Sequence, residues 1–277
     1  MKLKESGDSK YLPVTSISSG NLEQQVSTGV HLYTNQIVNV VFIESPSGWV
    51  LVDTGMPKCG GEILSTAEKL FGKGARPKAV ILTHGHFDHV GGIVHLLEQW
   101  AVPVYAHPLE FPFLTGKQSY PEPDTSVEGG LLAKLSSLYP IEPVDISPAL
   151  EPLPEGGAVP GLPEWRWLHV PGHSPGQIAL FRAGDRTLVP GDAVITVRQD
   201  SLYRVLFQKR EVCGPPVYLT TDWTAAETSV RTLQELQPQV LVPGHGHAMQ
   251  GEELTRGLQR LVDSFAEVAV PDHGRFV

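Results

Sequence analysis

The sequence predicts an α/β (α+β) protein in which helices cover a largely buried sheet. Two observations predict this class: apolar runs of strand length alternate with segments of helical spacing, and the run Lys78–Thr83 is apolar through its middle. A short run of that kind is typical of a strand that is buried on both faces. Such a strand needs cover on both sides, and helices between the strands provide it.

The first half of the chain predicts a hairpin and then alternating helices and strands. Apolar runs at Asn39–Ser45 and Trp49–Asp53 flank a Ser-Pro-Ser-Gly turn, which predicts two paired strands. Apolar residues recur with helical spacing over Glu62–Phe71 and Val90–Trp100, and Val102–Ala106 predicts the strand that follows. This order favours βα units and a sheet covered by helices.

Residues 107–160 differ from the rest of the chain because they contain ten prolines and only one predicted helix, near Val127–Leu138. Their apolar content is small for a core of their own, so we interpret them as a loop-rich insertion in a single domain spanning residues 1–277.

The second half of the chain predicts further strands and helices on either side of a long connection over residues 193–221. The predicted strands are Trp165–Val170, Gln177–Arg182, Thr187–Pro190 and Gln239–Val242, and the predicted helices are Trp223–Leu236 and Glu252–Phe265.

The composition excludes several classes of function. The 277 residues include 21 Lys and Arg against 30 Asp and Glu, a net charge of −9. An acidic surface repels phosphate groups, so we expect no nucleic-acid partner. No run of 18 apolar residues is present, which predicts no membrane span, and the polar start lacks the apolar run of a secretory signal. We therefore expect a cytoplasmic protein. Among the residue counts, 11 His against 2 Cys stands out.

Four side chains that bind metals well lie within six residues, directly after the predicted buried strand. They are His84, His86, Asp88 and His89. Imidazole and carboxylate groups suit zinc, iron and manganese. On an extended segment His84 and His86 point the same way, and the turn that follows can bring Asp88 and His89 to a second point. Ligands also bind most often at the carboxyl ends of strands in open α/β sheets.

Three further candidate ligands stand in loops that directly follow predicted strands. His173, Asp192 and His245 each come after a Val-Pro-Gly segment. With the first cluster they provide five His and two Asp at strand ends. A single tetrahedral ion needs only about four ligands, so this set suits two metal ions.

These motifs resemble those of the metallo-β-lactamase superfamily, whose HxHxDH signature matches the cluster that begins at His84. The resemblance covers nearly the whole chain and implies a four-layer αββα sandwich. It also assigns the ligands to two metal sites: His84, His86 and His173 for the first, Asp88, His89 and His245 for the second, and Asp192 between them. Asp53, in a Val-Asp-Thr-Gly segment, matches an early Asp of the family and is expected to support the ligand loop as a hydrogen-bond acceptor.

The resemblance implies a dinuclear metal-dependent hydrolase of a small ester, lactone or thioester. The expected cofactors are two divalent metal ions, Zn²⁺ first, with iron or manganese as alternatives. In the implied mechanism a metal ion polarises the substrate carbonyl and a metal-bridging hydroxide attacks it, while Asp88 passes the proton to the leaving group. The expected partner is a small-molecule substrate, and a homodimer is left open.

Other functions stay open at this point. A mononuclear iron oxidoreductase of the same fold, similar to a persulfide dioxygenase, needs fewer ligands than this chain offers. A β-lactamase or a phosphodiesterase of the superfamily is less favoured, as is a non-catalytic metal-binding module. Acyl-homoserine lactonases often carry a Tyr three residues after the bridging Asp, where this chain has Ile195.

Residues for the substrate pocket are expected in two loops. The candidates are aromatic and basic side chains: Phe111, Phe113, Tyr120, Arg198, Tyr203, Arg204 and Phe207. The remaining six histidines match no ligand position and are expected to be hydrogen-bonding or surface groups: His31, His95, His107, His169, His247 and His273.

Overall fold

The computed structural model describes residue 3 and residues 15–127, 136 and 139–277. Its first sheet has seven strands that neighbour one another in chain order. The first four pair antiparallel and the rest pair parallel. These strands are β1 (Leu22–Ser27), β2 (Val30–Asn35), β3 (Val38–Ser45), β4 (Gly48–Val52), β5 (Val80–Ile81), β6 (Val104–Ala106) and β7 (Leu150–Pro152).

The second sheet contains six strands in the order β13-β12-β11-β10-β9-β8. Only β11 and β12 pair parallel, and the long segment that connects them contains helices, whereas the other neighbours pair antiparallel. The strands are β8 (Ala158–Val159), β9 (Leu162–His169), β10 (Ile178–Arg182), β11 (Thr187–Val189), β12 (Val240–Leu241) and β13 (Met249–Gln250).

The described residues form eight α-helices, several of which cover the outer faces of the two sheets. They are α1 (Gly60–Phe71), α2 (Phe87–Val90), α3 (Ile93–Trp100), α4 (Phe111–Leu114), α5 (Leu202–Phe207), α6 (Trp223–Glu235), α7 (Gly251–Asp263) and α8 (Phe265–Val268). Apolar side chains of α1 and α3, such as Ile63 and Ile93, pack on the first sheet. Val230 of α6 and Leu258 of α7 pack on the second.

A third apolar cluster fills the space between the two sheets. It joins Val41 and Val50 of the first sheet to Trp165 and Leu180 of the second, all of them buried. Helix, sheet, sheet and helix therefore form four layers. The four-layer αββα sandwich that the sequence resemblance implied is confirmed.

The layered arrangement places several loops at one edge of the sandwich. Loops that leave the carboxyl ends of β5, β9, β11 and β12 contain the candidate metal ligands. The predicted helix over Val90–Trp100 is divided here into α2 and α3 by Gly91 and Gly92. A Cβ on Gly91 would lie 2.2 Å from the carbonyl carbon of Met56, so only glycine permits this approach between the ligand loop and the loop after β4.

Several elements differ from the sequence prediction. The hairpin β1–β2 precedes the predicted strands, and its residues are a mixture of polar and apolar types with no clean alternation. The insertion over 107–160 contributes β7, which pairs parallel with β6. Helix α5 lies in the long connection over residues 193–221, where the sequence analysis assigned no helix. The helix predicted near Val127–Leu138 falls almost entirely outside the described residues. No helix in the described part of the chain is long and apolar enough to cross a membrane.

Candidate metal centre

The seven predicted ligands come from four segments that follow strands, and the structure brings them together. None of these residues is more than 6% exposed. They form three overlapping groups, and within each group one ligand atom per residue lies within 4.8 Å of the others. The groups are His84, His86 and His173; Asp88, His89 and His245; and His84, His89 and Asp192.

The first group, here called the triple-histidine cluster, contains His84, His86 and His173. The Nδ1 atom of His86 lies 2.9 Å from the Nε2 atom of His173, although 87 residues separate them in sequence. The ring of His84 is edge-on to both of the others. Three imidazoles that converge in this way can hold one cation.

The second group, here called the mixed cluster, contains Asp88, His89 and His245. The Nε2 atom of His245 lies 3.3 Å from Asp88 Oδ2, and the Nε2 atom of His89 lies 3.9 Å from the same oxygen. Two imidazoles and a carboxylate thus face one point.

Asp192 lies between the two clusters. Its Oδ2 atom is 3.6 Å from His173 Nε2 and 3.2 Å from His245 Nε2. Its Oδ1 atom is 3.4 Å from His89 Nε2. One carboxylate is therefore within reach of both clusters, as a bridging ligand would be.

Burial and charge give the two clusters different protonation behaviour. In the triple-histidine cluster, burial holds the pKa of His84 and His86 well below the usual value, and nearby imidazoles lower it further. Burial likewise lowers the pKa of His173 to about 4, although Asp192 opposes the shift. These three side chains are therefore neutral near pH 7, which is the form that binds metals.

Carboxylates dominate the mixed cluster. Burial disfavours a charged His245, but the carboxylates of Asp192 and Asp88 outweigh burial and raise its pKa to about 10. For the same reason, with Asp192 foremost, the pKa of His89 is raised well above its usual value. Burial would raise the pKa of Asp192, yet His245 and His89 hold it well below the usual range.

Buried nitrogen and oxygen atoms that make no hydrogen bond show whether the site suits metal ions. Two such atoms, one in each cluster, have no hydrogen-bond partner among the described residues: His84 Nε2 and Asp88 Oδ1. His89 Nε2 and Asp192 Oδ1 also make no hydrogen bond within that part of the chain and lie 3.4 Å apart. Buried polar atoms in native proteins are normally paired, so each of these needs an explanation. Imidazole nitrogens and carboxylate oxygens are the donors that divalent cations accept. The residues therefore fit a metal centre.

Hydrogen bonds from surrounding groups hold the ligands in place. His89 Nδ1 lies 2.8 Å from Asp53 Oδ2, and the backbone N–H of Thr83 donates to Asp53 Oδ1 at 2.7 Å. Asp53 thus accepts hydrogen bonds beside the ligand loop, as expected from its sequence position. His245 Nδ1 lies 2.9 Å from the carbonyl oxygen of Ile37. Such contacts fix the ring orientation of metal-binding histidines.

Glu110 is a supporting residue that the sequence did not reveal. Its side chain is fully buried and accepts from the backbone N–H of Gly85 at 2.9 Å and of Gly176 at 2.7 Å. It also accepts from the hydroxyls of Ser174 and Tyr120. One carboxylate therefore joins the loop of His84 and His86 to the loop of His173. The only local signal was an acidic residue soon after a predicted strand, which is too common to be informative.

The residues predicted for the substrate pocket lie in different surroundings: the Tyr120 ring packs on His86 with ring centroids 4.2 Å apart, and Phe113 stacks on Tyr120. Tyr203 and Phe207 are 57% and 52% exposed, while Arg198 and Arg204 form ion pairs with Asp200 and Glu211. None of the seven candidates is among the described residues that line the pocket beside Asp88 and His245. The assignment of these residues to the substrate pocket stays a prediction.

The predicted bystander histidines lie outside the three ligand groups of the described residues. His31 is 2.7 Å from Glu44, and His107 stacks on His169 with ring centroids 4.2 Å apart. His247, which follows His245 closely in sequence, turns away to Glu23 at 2.9 Å. Hydrogen bonds or ring contacts thus explain the positions of His31, His107, His169 and His247.

Comparison with known proteins agrees with this geometry. A model of the metallo-beta-lactamase superfamily matches residues 33–245. The chain is 47% identical over 261 residues to the probable metallo-hydrolase YflN of Bacillus subtilis (strain 168), covering 93% of this chain and 98% of that protein. Another relative from the same organism, the probable metallo-hydrolase YybB, is 28% identical over 219 residues, or 78% of this chain and 84% of that protein. Among solved structures, TTHA1623 in a di-iron-bound form matches with a TM-score of 0.53 and 26% identity, covering 82% of this chain and 94% of that one.

The matched span begins in β2 and ends at His245. It therefore contains all seven side chains of the three ligand groups. It also contains both sheets except for β1 at one edge and β13 at another. The chain belongs to the metallo-β-lactamase superfamily, and it is a metallo-hydrolase.

Proposed function

We propose that this enzyme is a dinuclear metal-dependent hydrolase of small esters, lactones or thioesters. The observation that carries the proposal is the pair of clusters joined by Asp192, each with a buried ligand atom that makes no hydrogen bond to any described residue. A single ion would leave one of the two clusters without a cation. Two divalent ions would give all seven side chains a role, as in the sequence-based assignment.

The residues divide naturally between two metal ions. His84, His86 and His173 would hold the first, Asp88, His89 and His245 would hold the second, and Asp192 would contact both. When bound, such ions supply a water molecule that loses a proton near neutral pH and a Lewis acid for the carbonyl oxygen. Zinc suits these nitrogen and oxygen donors, and iron is the alternative that the di-iron form of TTHA1623 supports.

Asp88 would also move a proton. Burial alone would raise its pKa, but His89 and His245 lower the pKa below the usual value, so the carboxylate is ionised near pH 7. Its Oδ1 atom has no hydrogen-bond partner among the described residues. That oxygen can accept the proton of the attacking water and return it to the leaving group.

Two other features support the proposal. The net charge of −9 favours a small-molecule substrate over RNA. The 107–160 segment contributes β7 and Glu110 to the main body, which supports a single domain over residues 1–277.

Elemental analysis of the purified protein and a substrate panel test the function. We expect about two metal ions per chain and hydrolysis of p-nitrophenyl esters, lactones or thioesters in preference to phosphodiesters and β-lactams. One iron per chain with oxygen consumption would instead support the mononuclear oxidoreductase. Absence of any bound metal after reconstitution would contradict the proposal.

A further inference from the structure

Gln177 is a fully buried polar residue that connects three of the segments that carry the ligands. Its exposed fraction is 0%, and it directly precedes β10, at the end of the loop that carries His173. The next residue, Ile178, donates its backbone N–H to the carbonyl oxygen of Thr83 at 2.9 Å. Thr83 directly precedes His84. The backbone beside Gln177 therefore joins the His173 loop to the start of the HxHxDH segment.

The side chain of Gln177 reaches the third segment, which carries Asp192. One terminal atom of its amide group lies 2.5 Å from the backbone nitrogen of Ala193 and 3.2 Å from that of Asp192. Both backbone nitrogens are donors, so this atom is the carbonyl oxygen Oε1. The other end of the amide faces only acceptors, which suits its NH₂ group. Oε1 of Gln177 therefore accepts two hydrogen bonds from the backbone at Asp192.

The backbone N–H of Asp192 depends on this contact. Among the described residues no other acceptor pairs with it, whereas the N–H of Ala193 also donates to the carbonyl oxygen of Pro190 at 3.3 Å. Asp192 is 1% exposed. A buried backbone N–H without an acceptor costs free energy comparable to a lost hydrogen bond. The Gln177 side chain therefore holds the backbone of Asp192 in place.

A close contact also restricts the turn that contains Asp192. Gly191 has a φ of 55°, and a Cβ at this position would lie 3.0 Å from the Cβ of Thr83. With the backbone held in this way, only the two rotatable bonds of the Asp192 side chain remain to direct its carboxylate. The carboxylate oxygens lie between 3.2 and 3.6 Å from histidine nitrogens of both clusters. Because groups in functional sites must be held to within about 0.5 Å, a small shift of the backbone would remove one of these contacts.

We propose that Gln177 is a positioning residue for the carboxylate that bridges the two metal ions. Its amide accepts from the N–H groups of Asp192 and Ala193 and so fixes the direction in which Asp192 projects between the triple-histidine cluster and the mixed cluster. The amide is uncharged, so it adds no negative charge beside Asp192. The placement of the bridge is therefore set by the protein backbone and not by the metal ions alone. This inference rests on the proposed function, in which two ions share Asp192.

Amide hydrogen exchange in the zinc-loaded enzyme, followed by NMR, tests the contact itself. We expect the Asp192 amide to exchange at least about tenfold faster in Gln177→Met than in the unaltered protein, because its acceptor is lost. Gln177→Glu keeps an oxygen at the Oε1 position and should restore slow exchange. Gln208→Met is the matched control, since Gln208 is 5% exposed and donates to the carbonyl oxygen of Val205 at 2.8 Å. This control should leave exchange at Asp192 unchanged.

Replacement of the metal ions by Co²⁺ provides a spectroscopic test, because two paramagnetic ions that share a bridging carboxylate couple magnetically. We expect two Co²⁺ ions per chain and an EPR spectrum of coupled ions in the unaltered protein. Gln177→Met should bind Co²⁺ about tenfold more weakly, as is typical when a group that supports a ligand is lost. At saturating Co²⁺ it should also show weaker coupling, whereas Gln177→Glu should keep most of the coupling. Gln208→Met should match the unaltered protein in both measurements, whatever its thermal midpoint.

The two measurements distinguish failure of the positioning role from failure of the proposed function. One Co²⁺ ion per unaltered chain, with exchange at Asp192 that still depends on Gln177, would reject the dinuclear function and retain the positioning of Asp192. Two coupled ions in the unaltered protein, with the same exchange and the same coupling in Gln177→Met, would retain the function and reject the role. Should Gln177→Met not fold, Gln177→Asn keeps an amide but withdraws its oxygen, and the same faster exchange and weaker coupling are expected. Exchange and coupling equal to those of the unaltered protein in Gln177→Asn would likewise reject the role.

Discussion

The triple-histidine cluster and the mixed cluster lie side by side in one buried site, yet their electrostatics are opposite. Burial keeps His84, His86 and His173 neutral, with pKa values below the usual range. In the mixed cluster the carboxylates of Asp88 and Asp192 raise the pKa of both histidines. The same imidazole group is therefore neutral in one cluster and cationic in the other before any metal binds.

This difference predicts that the two clusters differ in how many protons a metal ion must displace when it binds. A metal ion at the triple-histidine cluster displaces no proton near pH 7. A metal ion at the mixed cluster must displace protons from His89 and His245, but it gains a close carboxylate in return. The supports differ as well: Asp53 holds the mixed cluster through His89, whereas Glu110 joins the two loops of the triple-histidine cluster.

Asp192→Ala should have the largest effect, because this carboxylate contacts both clusters. We expect most of both bound metal ions to be lost and hydrolysis to fall by at least about 100-fold. Metal per chain by elemental analysis, together with steady-state rates, measures this. Asp263→Ala, on the exposed end of α7, is the matched control. Full loading of either cluster in Asp192→Ala would mean that the two clusters are independent.

Lowering the pH should empty the clusters in a fixed order. The pKa of His245 is raised to about 10, so protons compete with the metal at the mixed cluster throughout the range below pH 10. Its affinity should fall by about tenfold per pH unit for each proton displaced. The pKa of His173 is lowered to about 4, so competition at the triple-histidine cluster begins only as the pH approaches that value.

Dialysis against metal buffers between pH 8 and pH 5 tests this order, with metal counted per chain at each step. We expect one ion to be lost well before the other as the pH falls. Simultaneous loss of both ions would contradict the electrostatic difference between the clusters.

Asp53→Asn should weaken the mixed cluster selectively. The substitution removes the charge beside His89 Nδ1 and one of the acceptors of the Thr83 contacts. Loss of such a supporting group typically costs about 10- to 100-fold in metal affinity. Chelator competition should show this loss for the second metal equivalent, while the first equivalent changes little. An equal loss of affinity for the first and the second metal equivalent would mean that Asp53 supports the whole site and not the mixed cluster in particular.

Glu110→Gln should cause a smaller loss of metal affinity than Asp53→Asn, and at the triple-histidine cluster instead of the mixed cluster. The NH₂ group of Gln cannot accept from a backbone N–H group. One of the two hydrogen bonds that join the loops, from Gly85 or from Gly176, is therefore lost. We expect about a tenfold loss of metal affinity at the triple-histidine cluster and little change at the mixed cluster. Glu68→Gln, on the exposed face of α1, provides the control in the same competition assay. Unchanged affinity in Glu110→Gln would mean that the loops hold their positions without this carboxylate.

Local patterns in the sequence predicted all seven candidate ligands and much of the fold. The HxHxDH run and the three Val-Pro-Gly segments can be recognised locally. In each of them the ligand residue and the end of the preceding strand lie within a few residues of each other. Strands such as β3 and β10 were recognised from continuous apolar runs. The hairpin β1–β2 was missed because its burial depends on packing against the rest of the sheet, which leaves no clean periodicity in the sequence.

The sequence by itself determined which atoms can bind a metal and that they follow strands, since those properties belong to individual residues and their neighbours. Only the tertiary structure decided how the ligands divide by charge and which groups support them. Glu110 contacts Gly176 across 66 residues, and Asp53 contacts His89 across 36. Burial and long-range distance set the pKa values and the unpaired donors, and neither quantity is encoded in a short stretch of chain.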